Sequence, residues 1–293
     1  DEIERFLDAN AGQGFEAVSV IGGEPTVLRH LPDVLKLIRK YNYPMTQMFT
    51  NGRRLARRDY AKQMVDLGVS FFIVSLHGHT PALHDWLTQA PGSYREALQG
   101  IANVKDLGAA VGTLTVIIQQ NYRHLREVTS VLQEAQVDLV DLSALCPAGL
   151  AILNWESLVV SYPEIMPYLY AAIDLCRSSS LEVVLEGFPF CAVRPYQTLC
   201  VEYPDTRRER ILSDGITIPD FDICLNTVHK LRVPQCNECS VRHACGGVYK
   251  EYLQKYGSAA FRHFSKPGDQ TNGCPAQPQI PVLPEHSTHI LAT

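Results

Sequence analysis

The feature that most constrains this chain is an alternation of short apolar runs with helical stretches over its first 149 residues. The runs are Ala17 to Ile21, Thr46 to Phe49, Phe71 to Leu76, Thr113 to Ile118 and Asp138 to Leu142. Between them, apolar residues recur at the three- and four-residue spacing of one helix face: Leu31, Val34, Leu35 and Ile38, then Leu98, Ile101, Val104 and Leu107, then Leu125, Val128, Leu132 and Ala135. Strands this apolar bury both faces, so they belong to a parallel sheet covered by helices.

Each run leads directly into a polar or turn-forming group: Gly22-Gly23-Glu24-Pro25, Thr50-Asn51-Gly52, Ser75 with His77-Gly78, Asn121, and Pro147-Ala148-Gly149. Five consecutive strands therefore present distinctive chemistry at their carboxyl ends, the edge at which parallel α/β folds bind ligands. In Gly22-Gly23-Glu24-Pro25 the glycines let backbone approach a ligand, the carboxylate can accept from an ammonium group, and proline stiffens the exit. Taken alone, the same four residues also suit a plain tight turn.

Further along, helix is expected around Glu164 to Cys176 and strand from Leu181 to Leu185. Beyond Gly187 the rhythm stops and prolines, cysteines and short segments take over, with one more helix from about Val248 to Lys255. A boundary near Gly187 follows, giving a barrel over 1–187, a small cysteine-rich domain over 188–265 and a proline-rich tail over 266–293 that drapes or frays.

Composition removes several function classes. The net charge is −5 and the 26 lysines and arginines are scattered, so no nucleic-acid footprint is present. No apolar run nears the roughly 20 residues that cross a bilayer, and no secretory pattern opens the chain, so a cytoplasmic protein with no membrane partner is expected. None of the nine cysteines precedes Cys146. In a cytosolic chain, close cysteines favour metal over disulfide.

Cys236-x2-Cys239-x5-Cys245 is the second strong signal, since thiolates at these spacings can close around one centre. Zinc and iron–sulfur both remain open on spacing alone. Cys146 and Cys176 suit small apolar packing residues, and Cys274 is left undecided. His77, His79 and His84 have no carboxylate-rich partner set and suit turn and capping roles, with Thr80 as N-cap. Val248, Tyr252 and Tyr256 are expected to pack the small domain onto the barrel. The Arg53-Arg54 and Arg57-Arg58 pairs suit a solvated helix face.

The order of these motifs, G-G-E-P, T-N-G, S-x-H-G, Asn and P-x-G after successive strands, resembles the radical S-adenosylmethionine superfamily over essentially residues 1 to 190. The resemblance implies a partial (β/α)6 TIM-like barrel of which this chain supplies units two to six. It implies S-adenosylmethionine as cofactor, with Gly22, Gly23 and Glu24 at its amino group, Pro25 shaping the turn, Asn51 nearby, Ser75 and Asn121 toward its carboxylate or ribose, and Pro147 to Gly149 beside the adenine.

The cysteine spacing resembles the SPASM and twitch auxiliary-cluster domains of that superfamily, although Tyr249 stands where a further cysteine is expected. The likeness implies one [4Fe-4S] cluster held by Cys236, Cys239 and Cys245. Cys191 is expected as fourth ligand, with Cys224 and Cys200 in reserve.

The family's catalytic cluster needs C-x3-C-x2-C after the first strand, and no such triplet is present. With Asp1 as first residue, an N-terminally truncated chain is expected, inactive alone, whose catalytic cluster residues lie outside it. The complete enzyme would generate a 5′-deoxyadenosyl radical that abstracts hydrogen from a peptide, protein or small-molecule substrate, with a flavodoxin or ferredoxin as electron donor. An aldolase-like barrel fits less well, because the five strand ends hold no lysine for a Schiff base. The non-catalytic alternative is a metal-stabilised binding protein, zinc or iron–sulfur, on a degenerate barrel.

Overall fold

The computed structural model describes residues 2–202, 208–213, 215–265 and 286–292. Six parallel strands follow one another in space as in sequence: β1 (Ala17–Gly22), β2 (Met45–Thr50), β3 (Phe71–Ser75), β4 (Ala110–Ile117), β5 (Leu139–Ala144) and β6 (Glu182–Glu186). Each expected strand is found within a few residues of its place, and the partial barrel expected from the motif order is the architecture observed.

The crossover helices bury the faces that their spacing marked. Leu31, Val34, Leu35 and Ile38 are buried in the helix Leu31–Lys40, Ile101 and Val104 in Ser93–Asp106, and Leu125, Val128 and Leu132 in Leu125–Glu134. Ile165, Leu169, Ala172, Ile173 and Cys176 form the inner face of Tyr162–Ser178. Together with the outer faces of the strands they make one continuous core.

On the far side of β1 the structure departs from expectation. The sheet continues through β11 (His286–Ala292) and β7 (Arg208–Ser213), both parallel to β1, and ends with the antiparallel β8 (Ile216–Ile218). A two-stranded ribbon, β9 (Lys230–Leu231) with β10 (Val248–Tyr249), stands apart. Residues 208–213 and 216–218, expected in a separate small domain, are thus strands of the main sheet.

Residues 286–292, expected to drape or fray, occupy the edge beside β1 that the resemblance assigns to the absent first strand. The cause is non-local. An unpaired edge at β1 leaves a row of backbone donors and acceptors unmatched, and β11 satisfies them from Ala17↔Ser287 to Gly22↔Ala292.

The turn after β2 is packed backbone against backbone. Gly52 lies at φ 74°, and a Cβ on Gly100 of the helix Ser93–Asp106 would stand 2.5 Å from the Gly52 carbonyl oxygen. No rotamer change relieves a clash with backbone. Gly100→Ala is expected to cost about 1–3 kcal/mol, the range for overpacking, and to lower the midpoint of urea unfolding, whereas Gly108→Ala, whose Cβ meets nothing within 4 Å, is strained only by its φ of 80° and costs less.

Candidate active site at the strand ends and a cysteine pocket

The inner face of the sheet and its carboxyl edge enclose a cavity of about 550 Å³, within the usual range for small-molecule sites. Gly22, Gly23, Glu24, Asn51 and Ser75 line its upper part. Of the nine residues expected around S-adenosylmethionine, these five are brought together. Pro25 is buried beneath them and starts the short helix Pro25–Val27.

The carboxylate of Glu24 is committed to its own chain. Its Oε1 accepts from the Thr26 amide at 3.1 Å, the Thr26 hydroxyl at 2.6 Å and the Thr50 hydroxyl at 2.7 Å, and its Oε2 accepts from the Asn51 amide at 2.7 Å. A carboxylate has about four lone-pair positions, so Oε1 is saturated and only Oε2 retains capacity. Glu24 thereby ties the end of β1 to the end of β2. Asn51 turns its own Oδ1 back to the Arg53 amide at 3.0 Å. What these turns offer the cavity is chiefly the backbone of the exposed Gly22 and Gly23.

Asn121 is not part of the cavity lining. Its side chain is fully buried, accepts from the Ile118 amide at 2.8 Å and donates to the carbonyls of Val116 and His77 at 2.8 and 3.0 Å. The expected role toward carboxylate or ribose is therefore corrected: with both ends of its amide bonded to backbone, Asn121 locks the end of β4 onto the turn after β3. Pro147 and Gly149 are likewise absent from the lining.

The histidines serve the same locking. His84 Nδ1 accepts from the His77 amide at 3.0 Å, and His77 Nδ1 accepts from Val116 at 3.3 Å. Thr80 caps its helix by accepting from Leu83, as expected. Asp85 then accepts from Gly92, Ser93 and Tyr94, which opens the next helix and holds its own pKa below the usual value through those bonds.

Other cavity positions, from mid-strand to strand end, were missed by the sequence reading. Asp141 on β5, Glu186 on β6, Glu209 on β7 and His289 on β11 all line the cavity, together with Gln47 and Thr113. Asp141 carried a usable signal, a carboxylate at an alternate position of an otherwise apolar strand. Glu209 and His289 carried none, because nothing local marks their strands.

The second site is a small, mostly apolar pocket to which Cys191, Cys236, Cys239 and Cys245 all contribute. Cys200 is buried and Cys224 half-buried elsewhere; neither lines this pocket. Cys274 lies outside the described residues. Burial pushes the Cys191 thiol up to about 12, with the neighbouring thiols Cys245, Cys236 and Cys239 adding to it, and burial also raises Cys245. Such thiols stay neutral until a metal cation displaces their protons.

Among the described residues, no three His, Cys, Asp or Glu side chains converge closely enough for a single ion. Tetrahedral zinc at about 2.3 Å from each sulfur would bring the sulfurs within roughly 4 Å of one another. Four thiols that share one pocket suit a thiolate-bound centre, zinc or iron–sulfur.

The two sites are covalently close. Glu186 lines the cavity and Cys191 lines the cysteine pocket, separated by Gly187-Phe188-Pro189-Phe190. The Gly187 amide donates to Glu202 at 2.9 Å, and a Cβ at Gly187 would meet the Tyr249 hydroxyl at 3.4 Å. Tyr252 stacks on Tyr162 with centroids 4.1 Å apart, and its hydroxyl accepts from the Tyr162 amide at 2.8 Å, which fixes the helix Lys250–Tyr256 on the barrel. Those tyrosines are packing residues, as the sequence indicated.

A curved parallel sheet with its ligand cavity at the carboxyl edge and glycine-rich turns on the rim defines an α/β barrel of cofactor-binding type. Residues 1–132 match the family model described as Radical SAM superfamily. The match covers 132 of the 293 residues and takes in β1 to β4.

Among curated proteins it is 26% identical over 189 residues to an Fe-coproporphyrin III synthase of Methanosarcina barkeri, covering 64% of this chain and 45% of that protein. It is 26% identical over 151 residues to a probable GTP 3',8-cyclase of Sulfolobus acidocaldarius, covering 51% and 47%. An AdoMet-dependent heme synthase of Nitratidesulfovibrio vulgaris is 19% identical over 292 residues, covering 94% and 74%. The chain thus spans less than half the length of the first two relatives.

Among solved structures, Streptococcus suis SuiB bound to S-adenosylmethionine superposes with a TM-score of 0.66 at 16% identity, covering 90% of this chain and 69% of that one. SuiB bound to its precursor peptide SuiA gives 0.64 at 15%, covering 90% and 68%. No helix among the described residues is long and apolar enough to cross a membrane.

Two predictions follow from the locking bonds. Glu24→Gln sets an amide NH2 against donors and is expected to cost about 1–3 kcal/mol, seen as a lower urea midpoint. Desolvation, reinforced by His84, lowers the pKa of His77 from 6.5 to about 4. The unfolded chain then binds the proton first, so stability falls as the pH drops from about 6.5 to about 4, by no more than about 3 kcal/mol. A urea-unfolding series over that range is expected to be flatter for His77→Asn than for the wild type.

Proposed function

We propose that this chain forms the cofactor-binding barrel and an auxiliary-cluster region of a radical S-adenosylmethionine enzyme acting on a peptide or protein. The observation that carries the reading is the pairing of two sites on one scaffold: a glycine-rimmed cavity at the strand ends and, five residues beyond Glu186, a pocket of four cysteines.

The rim fits a zwitterionic nucleotide. Backbone carbonyl and amide groups of Gly22 and Gly23 are accessible, Ser75 and Asn51 add polar atoms, and Phe49, Ile73 and Leu114 supply apolar wall. Glu24 acts by holding those turns in place.

No cysteine among the described residues lines the cavity, so these residues do not fit a cluster there. A reduced cluster with S-adenosylmethionine would supply hydrogen-atom abstraction. The described chain's part is to bind and orient the nucleotide, exclude water from an apolar cavity and position the substrate.

Cys191, Cys236, Cys239 and Cys245 would hold the auxiliary [4Fe-4S] cluster. Peptide as substrate class is supported by the likeness of fold to SuiB, whose precursor peptide has been seen bound. A soluble reductant such as a flavodoxin or ferredoxin would complete the system.

Anaerobic purification tests the cofactor assignment. Brown protein with broad visible absorption and close to four irons per chain is expected. Cys191→Ala, Cys236→Ala, Cys239→Ala and Cys245→Ala each lower that iron content severalfold, while Cys176→Ala does not. Colourless protein with one zinc ion would favour the metal-stabilised binding protein instead. Equilibrium dialysis of the same protein against S-adenosylmethionine is expected to give saturable binding that Gly23→Val weakens at least tenfold.

A further inference from the structure

The ribbon of β9 and β10 forms one wall of the cysteine pocket, which Arg232, Val233, Gly247 and Val248 help to line. A Cβ on Gly247 would stand 2.5 Å from the Leu231 carbonyl oxygen, so the two strands are pressed together at backbone level. The next pair along the ribbon, Lys230 with Tyr249, is buried. These two residues are 4% and 3% exposed, while Leu231 beside Lys230 is 48% exposed. That alternation turns the lysine side chain into the protein and the leucine out of it. The Lys230 ammonium stands 5.1 Å from the centroid of the Tyr249 ring.

An ammonium withdrawn from water is costly unless an anion or a hydrogen-bond acceptor meets it. Among the described residues no carboxylate or carbonyl oxygen comes within hydrogen-bonding or ion-pair reach of Lys230, and the face of the Tyr249 ring offsets only part of the loss. Its surroundings are rich in sulfur. Burial raises the pKa of Cys245, Cys200 and Cys146, and the Lys230 ammonium acts against that rise at all three. Cys245 belongs to the four-cysteine pocket. Four thiolates outweigh the charge of zinc or of an oxidised cubane cluster, so the loaded pocket is an anion, and one-electron reduction of a cluster makes it more so. Arg232, Arg242 and Arg262 also line the pocket, but they are exposed, where water screens them.

We infer that Lys230 is the counter-ion of the thiolate centre in the cysteine pocket and that it holds the reduction potential of that centre up. This rests on the pocket being the auxiliary-cluster site described above and adds the residue that tunes it. Lys230 is a positioning residue, not a ligand: it acts through space on the charge carried by Cys245 and its three companions. In the step concerned the cluster takes one electron from an external one-electron reductant, and no bond forms or breaks. The added negative charge is stabilised by an ammonium held out of water, where attraction is stronger than at the surface. With zinc in the pocket, the same ammonium stabilises the thiolates against their protonated, empty form.

The test uses the full chain, purified anaerobically and titrated with titanium(III) citrate while the visible absorption is followed. Lys230→Met, close to lysine in volume, is expected to make reduction at least tenfold less favourable against a one-electron reference couple, a negative shift of about 59 mV or more. Lys230→Arg, which keeps the charge, and Arg242→Met, which removes an exposed one, are each expected to stay within about threefold of wild type. The metal-free Lys230→Met protein is expected to unfold at a urea midpoint no lower than wild type, since it loses a charge without an anion. An unchanged potential in Lys230→Met, or Lys230→Arg shifting as far as Lys230→Met, overturns the proposal; a lower urea midpoint with unchanged potential marks Lys230 as a packing residue. If the wild type carries no iron, the iron–sulfur reading falls, and zinc alone decides the counter-ion role. In competition with a chromophoric chelator, Lys230→Met then binds zinc at least tenfold more weakly than wild type, and equal affinity overturns the proposal.

Discussion

The carboxylate of Glu24 is the constraint on which the rim depends. Parallel strands end in unpaired backbone, and their turns must be held by something other than the ladder. Here one carboxylate gathers the hydroxyls of Thr26 and Thr50 and the amides of Thr26 and Asn51. Gly22 and Gly23 are thereby kept open to the cavity instead of collapsing onto the next turn. Asn121 does the same between β4 and the turn after β3, using its amide on the carbonyls of Val116 and His77. The polar residues that mark the strand ends in the sequence thus divide into two kinds, those that face the cavity and those that fix the ones that do.

Much of this architecture was legible because it is local. The six strands and their crossovers follow from apolar runs and helical spacing, and the helices bury most of the residues that their patterns nominated, leaving Leu98, Leu107 and Ala135 half-buried. The cysteine pocket was legible for a related reason: three of its four cysteines lie within ten residues, and Cys191 follows the last strand of the regular series. Glu24 and Asn121 were found as positions but not as roles. Sequence shows that a carboxylate or carboxamide stands at a strand end, and only coordinates show which donors have already claimed it.

β7 and β11 were not legible at all. The segment His286–Ala292 carries two histidines, two hydroxyl residues and three apolar ones, a composition with weak preference for any state. It becomes a strand because β1 and β7 leave a slot between them, and a slot is a property of the folded sheet. Strand pairing between residues 17–22 and 287–292 spans almost the whole chain, the kind of contact that local propensity does not encode. The same reasoning explains why Glu209 and His289 escaped notice: their strands had to be placed before their side chains had a cavity to line.

That placement joins chemistry from both ends of the chain in one chamber. β1 supplies the glycine rim, β5 and β6 supply Asp141 and Glu186, and β7 and β11 supply Glu209 and His289. A sheet lacking β7 and β11 would open the cavity at β1 and admit water beside the nucleotide's place, which would weaken every electrostatic contact within it by raising the local dielectric. The late strands therefore do two things with one set of residues. They close the wall of the cavity beside β1, and they bring one carboxylate, Glu209, and one imidazole, His289, into its lining.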